Sequence, residues 1–568
     1  MVIRHPLQEH LANDFDGAGV CLPIEIADVI RKVWIPAGGT AWQQSALANL
    51  IHKLGLKVEI GRSRLLDDYW GDEARIGNAM LLNQLQQLDN PDSRIILASQ
   101  RSGNLLEDFA RSLQGTTTGD NPQFTAYFWE LLDTGSTWSR FQSTVEASCG
   151  FGGRSWLLKW ESGKGHLASN PAARIQGQAA FGRQGVVVAQ MRELAATRYS
   201  GDMFDMNCAA IVPNDPAHLP ALWCFASSSL FNKAVRAIDQ KLNVTNATLV
   251  KVPFDLNHWR KVADERYPDG LPEPHSDDPT QWLFCGDIPS STEPLHVAVA
   301  RLLGYAWPEQ REDGIGILLD TDGIVTLAPL VNQEGVANRL RTLLQVTYES
   351  DAPPRPKGAP EVKSPRVWDE QTLPRLMTQA GSPGIALEEW LREKFFEAHC
   401  KLFQQRPFIW HIWDGRRDGF HALVNYHRLD NKNLERLTHV YLGEWIEHQK
   451  SASISGDSTA DGRLAAALEL QRKLELIRLG EPPYDIFVRW KLLYEQPLGW
   501  EPDQNDSIRM NIRPFVEAGI LRGRVNINWN KDRGKDAHPN ASGTVERYND
   551  LHFTLAQKLE ARERRKPS

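Results

Sequence analysis

Apolar positions recur at helical spacing over residues 41–54 and 76–88 with no strand-like alternation, so residues 1–95 read as a mainly helical segment. The turn signal Asn90-Pro-Asp-Ser closes it, and Ile95-Ile-Leu-Ala beyond it reads as a short strand. From about residue 100 to 345 the pattern is mixed. Val186-Val-Val-Ala, Cys208-Ala-Ala-Ile-Val and Leu249-Val-Lys-Val predict strands. Between them Phe231, Val235, Ile238 and Leu242 recur with a helical period, behind Ser227, Ser228 and Ser229, a residue type suited to a helix N-cap. Residues 351–365 hold five prolines in fifteen positions, which predicts a linker or exposed excursion. A second flexible stretch, rich in Ser, Ala, Gly and Asp, is expected over 451–462, leading into a helix over 464–479 closed by Gly480 and Pro482. No internal repeat or long heptad run is present. The expected class is α+β and multidomain: a helical segment over 1–95, a mixed α/β domain over 96–345, a proline-rich linker over 346–370 and an α+β domain over 371–568.

Composition narrows the classes. A chain of 568 residues suggests three or four domains, and 41% hydrophobic with 24% charged residues describes a globular protein with ample core material. No apolar run approaches the length of a membrane span, and the start, Met1-Val-Ile-Arg-His-Pro, lacks the form of a secretory signal. A cytoplasmic location without membrane contact is therefore expected, in which Asn243-Val-Thr and Asn246-Ala-Thr are not glycosylation sites. Cys21, Cys149, Cys208, Cys224, Cys285 and Cys400 form no CxxC pair, which argues against zinc and disulfides and for buried thiols. The net charge of −7 excludes a generally basic nucleic-acid binder, but charge is local: from Gly519 onward eleven Lys or Arg stand against six Asp or Glu. The 19 tryptophans are an unusual load; each is read first as core, with stacking on extruded bases as the other use of such rings.

Several loops have the chemistry of nucleic-acid contact. Thr116, Thr117 and Thr118 lie between two glycines and offer hydroxyls with close backbone approach, suited to phosphates, with Asn121 in the same loop. An ordinary glycine-flanked turn is the competing reading. Arg183 and Gln184 between two glycines, with Gln190 and Arg192 beyond, have the forked donors that read base edges, although strand alternation makes at least one of them structural. Asp414-Gly-Arg-Arg-Asp-Gly reads as a hairpin turn carrying Arg416 and Arg417 among two acids, open to phosphate contact or to self-neutralisation. Lys531 and Arg533, in Lys531-Asp-Arg-Gly-Lys, suit phosphate contact and simple solvation equally. His411, His421 and His427 with Asp414 invite a metal, but strand facing is unknown and no metal site is assigned.

Four strings carry a resemblance: Gly115-Thr-Thr-Thr-Gly-Asp-Asn-Pro-Gln-Phe with Tyr127-Phe-Trp-Glu; Phe181-Gly-Arg-Gln-Gly-Val-Val-Val-Ala-Gln-Met-Arg-Glu-Leu; Leu219-Pro-Ala-Leu-Trp-Cys-Phe running on to Lys241-Leu-Asn-Val-Thr-Asn-Ala-Thr-Leu-Val-Lys-Val-Pro-Phe; and Arg406-Pro-Phe-Ile-Trp-His-Ile-Trp-Asp-Gly-Arg-Arg-Asp-Gly-Phe. Val424-Asn-Tyr-His-Arg-Leu, Pro483-Tyr-Asp-Ile-Phe-Val-Arg-Trp and Asn526-Ile-Asn-Trp-Asn-Lys-Asp-Arg-Gly continue the order. Over residues 95–555 the chain resembles the target-recognition and C-terminal region of large adenine-specific (N6) DNA methyltransferases of restriction-modification and phage-defence systems of the DISARM and BREX types.

The resemblance implies double-stranded DNA as partner and residues 96–345 as the recognition domain. Such an enzyme also needs a glycine-rich loop for S-adenosylmethionine and an Asn/Asp-Pro-Pro-aromatic motif for the flipped base. Asp16-Gly-Ala-Gly, Asn121-Pro-Gln-Phe and Glu481-Pro-Pro-Tyr imitate these motifs, but each reads better as a turn. The expectation is a specificity part with no cofactor and no catalytic residue of its own, inactive alone. A catalytic methyltransferase subunit or domain would carry S-adenosylmethionine, and residues 1–95 are a candidate docking surface for it. The alternatives are an excised portion of one large enzyme, a non-DNA-binding assembly subunit of a defence complex, and an enzyme with a concealed cofactor site.

Overall fold

The computed structural model describes residues 104–310, 314–331, 333–352, 355–359, 366–485, 493–502, 507–528 and 554–565, together with the strands β1 (Lys32–Trp34) and β2 (Lys57–Glu59). β1 and β2 pair in parallel, so the segment expected to be helical contains strand as well. The predicted strand at 95–98 lies outside the described residues. No described helix is long and apolar enough to cross a membrane. The class is α+β, as the patterning implied.

Eight strands follow before residue 214: β3 (Ala110–Gln114), β4 (Thr125–Tyr127), β5 (Trp138–Gln142), β6 (Trp156–Lys159), β7 (Gly185–Ala189), β8 (Ala196–Tyr199), β9 (Met203–Phe204) and β10 (Cys208–Pro213). One antiparallel sheet has the order β3-β10-β7-β8, and a second, mixed sheet has the order β4-β6-β5-β9. β7 is valine-rich because both of its faces are covered. Val186 and Val188 pack under the helices α1 (Leu219–Ala226), α2 (Ser229–Ile238) and α3 (Leu256–Arg266), whereas Val187 joins Tyr199, Phe204 and Ala210 on the other side. α2 is capped by Ser228, whose hydroxyl accepts from the Phe231 amide at 3.4 Å, and buries Phe231, Val235 and Ile238 as its period predicted. Leu242 falls beyond the helix and is 67% exposed. The strand expected at 249–252 is instead the end of a 3-10 turn, Asn246–Val250. Leu249 and Val252 are buried there as single anchors, so an apolar run too short to fix its period was misread.

The second core crosses the proline-rich segment. Helices α4 (Pro294–Leu302) and α5 (Val336–Glu349) share one hydrophobic cluster with Trp390, Trp410, Phe420 and Trp500. Strand β11 (Ile324–Thr326) pairs antiparallel with β13 (His421–Asn425), which also pairs with β12 (Ile409–Trp413). A boundary at 346–370 therefore does not separate two cores. α5 extends to Glu349, and Arg355 and Arg366 tie the segment down through Asp277 at 2.9 Å and Asp287 at 2.5 Å. The stretch expected to be flexible at 451–462 is mostly helical: α6 (Leu442–Ile454) runs into it, and α7 (Ala460–Leu479) begins within it and ends at Gly480 in the left-handed conformation. Cys208, Cys224 and Cys400 are buried thiols, but Cys149 is exposed.

Candidate nucleic-acid interface

The strand register sorts the predicted contact residues. Ala209 lies opposite Gln114 and Cys208 opposite Ala189, so the ends of β3 and β7 meet at the start of β10. The 115–121 loop and the 190–192 turn therefore leave from one end of the sheet. Arg183 and Gln184 precede β7 and sit at the other end, roughly 16 Å away for five strand residues. Both are exposed, and the Arg183 guanidinium donates to the Pro213 carbonyl at 2.7 Å. The structure thus brings Thr117, Asn121 and Arg192 to one end but does not bring Arg183 and Gln184 to them.

Two of the three threonines are internal, which corrects the reading of an open hydroxyl loop. Thr116 is 1% and Thr118 2% exposed; their hydroxyls donate to the Gln176 carbonyl at 3.2 Å and to Asn121 Oδ1 at 2.5 Å. Thr117 is half-buried and Asn121 exposed. Gly115 is required by close packing, because a Cβ there would lie 2.1 Å from the Asp205 carbonyl oxygen. Gly119 holds φ +75° against Ala172. Asn121-Pro-Gln-Phe is a single helical turn whose Phe124 is buried, so that ring has no free face for a base.

Gln190 is also internal. Its amide exchanges hydrogen bonds with Gln114 at 3.1 and 3.2 Å and donates to the Val244 carbonyl at 3.1 Å. It clamps the 241–245 loop to the sheet end, which makes it the structural member that strand alternation required. Arg192 is exposed, with φ +54°. Around it stand cations that sequence reasoning did not single out. Arg236 donates to the carbonyls of Arg192 at 2.6 Å and of Lys241, and Lys233 lies one turn before it on the outer face of α2. The legible signal was Lys233-Ala-Val-Arg236, spaced i, i+3 opposite the buried Phe231, Val235 and Ile238. Among the described residues no carboxylate pairs with Arg192, Lys233, Arg236, Lys241 or the flanking Arg174. Met191, Met206 and Leu242 are 40%, 43% and 67% exposed beside them.

The 414–418 turn differs. Arg416 pairs with Asp418 at 3.1 Å, and Arg417 with Glu389 and Glu393 at 3.1 Å each. Its histidines do not converge. His411 and His421 hydrogen-bond to each other at 2.9 Å, while His427 faces the Tyr305 hydroxyl at 3.2 Å. Burial pushes His421 down to about 4 and holds His411 well below the usual range. Among the described residues no group of three or more His, Cys, Asp or Glu is placed to hold a metal. Lys531 and Arg533 lie outside the described residues.

No family model and no curated protein matches this chain.

Proposed function

We propose that this chain is the DNA-specificity part of a S-adenosylmethionine-dependent adenine-N6 DNA methyltransferase of host defence, acting with a catalytic subunit or domain. The observation that carries the reading is the contiguous surface of Arg192, Lys233, Arg236 and Lys241, whose charges meet no carboxylate among the described residues. In a chain of net charge −7, such a surface is where a polyanion gains most. Its exposed methionines and Leu242 suit the thymine methyl and sugar faces beside the phosphates. The long strings that resemble the methyltransferase family suggest the reaction class, and the cofactor would be held by the partner.

The test is anisotropy of a labelled duplex titrated with the full chain, alone and with its catalytic partner, at two salt concentrations. Neutralising about four phosphates should make affinity fall about 10²-fold between 50 and 200 mM salt. Binding that is flat with salt would sink the reading and favour an assembly subunit, for which the exposed Leu242 would be a protein contact. Adenine methylation of a defined site should appear only when the two components are mixed.

A further inference from the structure

Arg198 stands on β8 opposite Val186 of β7 and is 8% exposed. Its guanidinium lies over the Phe151 ring, 4.5 Å from the centroid, and donates from Nη1 to the Pro272 carbonyl. The side edge of the group, formed by Nε and Nη2, makes no hydrogen bond among the described residues, and neither nitrogen is sealed from solvent. Arg154 beside it is the contrast. Its Nη1 and Nη2 end on the carbonyls of Gly152 and Arg198 and on the Ser200 hydroxyl, and its Nε is closed off. Other inward arginines are answered by acids, Arg366 by Asp287 at 2.5 Å and Arg339 by Asp320 at 2.8 Å. Arg198 forms no ion pair among the described residues, and burial lowers it to about 10.

Arg198 is part of the wall of a cavity of about 180 Å³, together with Phe151, Trp223, Tyr267, Ser276 and Asp277. That is below the roughly 300–1,000 Å³ of sites for larger small molecules, so the space suits a compact ion. Two hydroxyls stand in the same wall. Tyr267 accepts from Trp223 Nε1 at 2.9 Å, and its own proton meets no acceptor among the described residues. Ser276 accepts from the Asp278 amide at 3.1 Å and likewise keeps its proton to give. The carboxylate of the wall, Asp277, is already held by Arg355 at 2.9 Å. The cavity therefore offers a cationic fork and two hydroxyl donors, with its acid neutralised. A charged group this far from water is stabilised by an opposite charge that reaches it, and a guanidinium edge matches two oxygens of one anion.

We propose that this cavity is an oxyanion site for one phosphate group, gripped side-on by Arg198 Nε and Nη2, with the Tyr267 and Ser276 hydroxyls donating to its remaining oxygens. The site is separate from the cationic sheet end, because Gln190 lies four residues beyond Val186, about 13 Å along β7. It stands whether or not that end binds duplex. Only the source of the phosphate, a free ion or a DNA strand, rests on that reading.

The test is calorimetric titration of the full chain with inorganic phosphate, against sodium chloride at matched ionic strength. One saturable site is expected on the parent. Arg198→Lys keeps a cation without the fork and should weaken phosphate at least tenfold, about the worth of a charge-assisted hydrogen bond. Ser276→Asp keeps an acceptor for the Asp278 amide while setting a carboxylate in the wall, so it should abolish binding. Circular dichroism and melting establish that each variant is folded, and Ser276→Asp decides the matter if Arg198→Lys, which gives up the Phe151 stacking, does not fold. Duplex anisotropy in the same buffers then separates the sources. Duplex affinity that phosphate lowers no more than chloride does supports the site with a free ion as ligand. Duplex released by phosphate beyond the chloride effect, and weakened in Ser276→Asp, supports it with a strand phosphate. No saturable phosphate binding to the parent, or binding unchanged in a folded variant, overturns the site, whereas the salt dependence of duplex affinity reports separately on the sheet end.

Discussion

Two surfaces of this protein each present a pair of arginines, and they differ in what the guanidiniums touch. At the sheet end Arg236 donates to the peptide carbonyls of Arg192 and Lys241, which fixes geometry without forming an ion pair among the described residues. At the 414–418 turn Arg416 ends on Asp418, and Arg417 ends on Glu389 and Glu393. The same side chain is a held cation in one place and half of an ion pair in the other. A phosphate arriving at the first gains a charge partner; one arriving at the second must displace a carboxylate. Counting arginines in a loop therefore says little about anion binding until their partners are known.

The comparison breaks most readily by reversing charge at the sheet end. Arg192→Glu with Lys233→Glu should lower duplex affinity by two orders of magnitude or more and flatten its salt dependence, read by anisotropy, while the thermal midpoint stays near that of the parent. Unchanged affinity would remove the distinction between the two surfaces. Acid should act on the other region. His421 is held near 4 by desolvation, so between about pH 6.5 and 4 the unfolded chain binds the proton and the folded chain does not. Stability must then fall as pH falls through that window, by on the order of 3 kcal/mol, and recover above it. Chemical denaturation across that range should show the loss, and His421→Phe should reduce it, with the remainder coming from the likewise depressed His399, His411 and His427.

Gln190→Ala should destabilise by about 1–3 kcal/mol, because it leaves Gln114 and the Val244 carbonyl without their buried partner. Any effect on DNA should track loss of fold and leave the methylated sequence unchanged; a changed sequence in a stable variant would return Gln190 to the recognition surface. The smallest effect belongs to Arg417→Ala, expected to shift stability by under about 0.5 kcal/mol and leave affinity unaltered, since Arg417 itself and its partner Glu389 are exposed.

Much of the frame was legible in the chain. The valines of β7, the run Cys208-Ala-Ala-Ile-Val and the period of Phe231, Val235 and Ile238 each carry enough residues to declare strand or helix. Residues 249–252 do not, and their apolar anchors proved to be a turn. The site was legible only in part, because burial is a tertiary property. Thr116-Thr-Thr118 looks like three equal hydroxyls, yet the loop's closeness to Asp205 turns two of them inward. Gln190 and Arg192, two residues apart, differ for the same reason. Lys233 and Arg236 went unremarked because an exposed helical cation is ordinary until its neighbours show that it forms no ion pair among the described residues.

On the proposed reading of the chain as a specificity part, the pairing of β11 with β13 limits where such parts could be exchanged. Recombination that shuffles recognition units works best where a crossover point severs few contacts. The proline-rich segment looks like such a point, but a chimera joined there would inherit Ile324–Thr326 from one parent and His421–Asn425 from the other. Those two strands must agree in register and in the side chains they pack, so new specificities should arise by replacing segments that leave this small sheet of one ancestry.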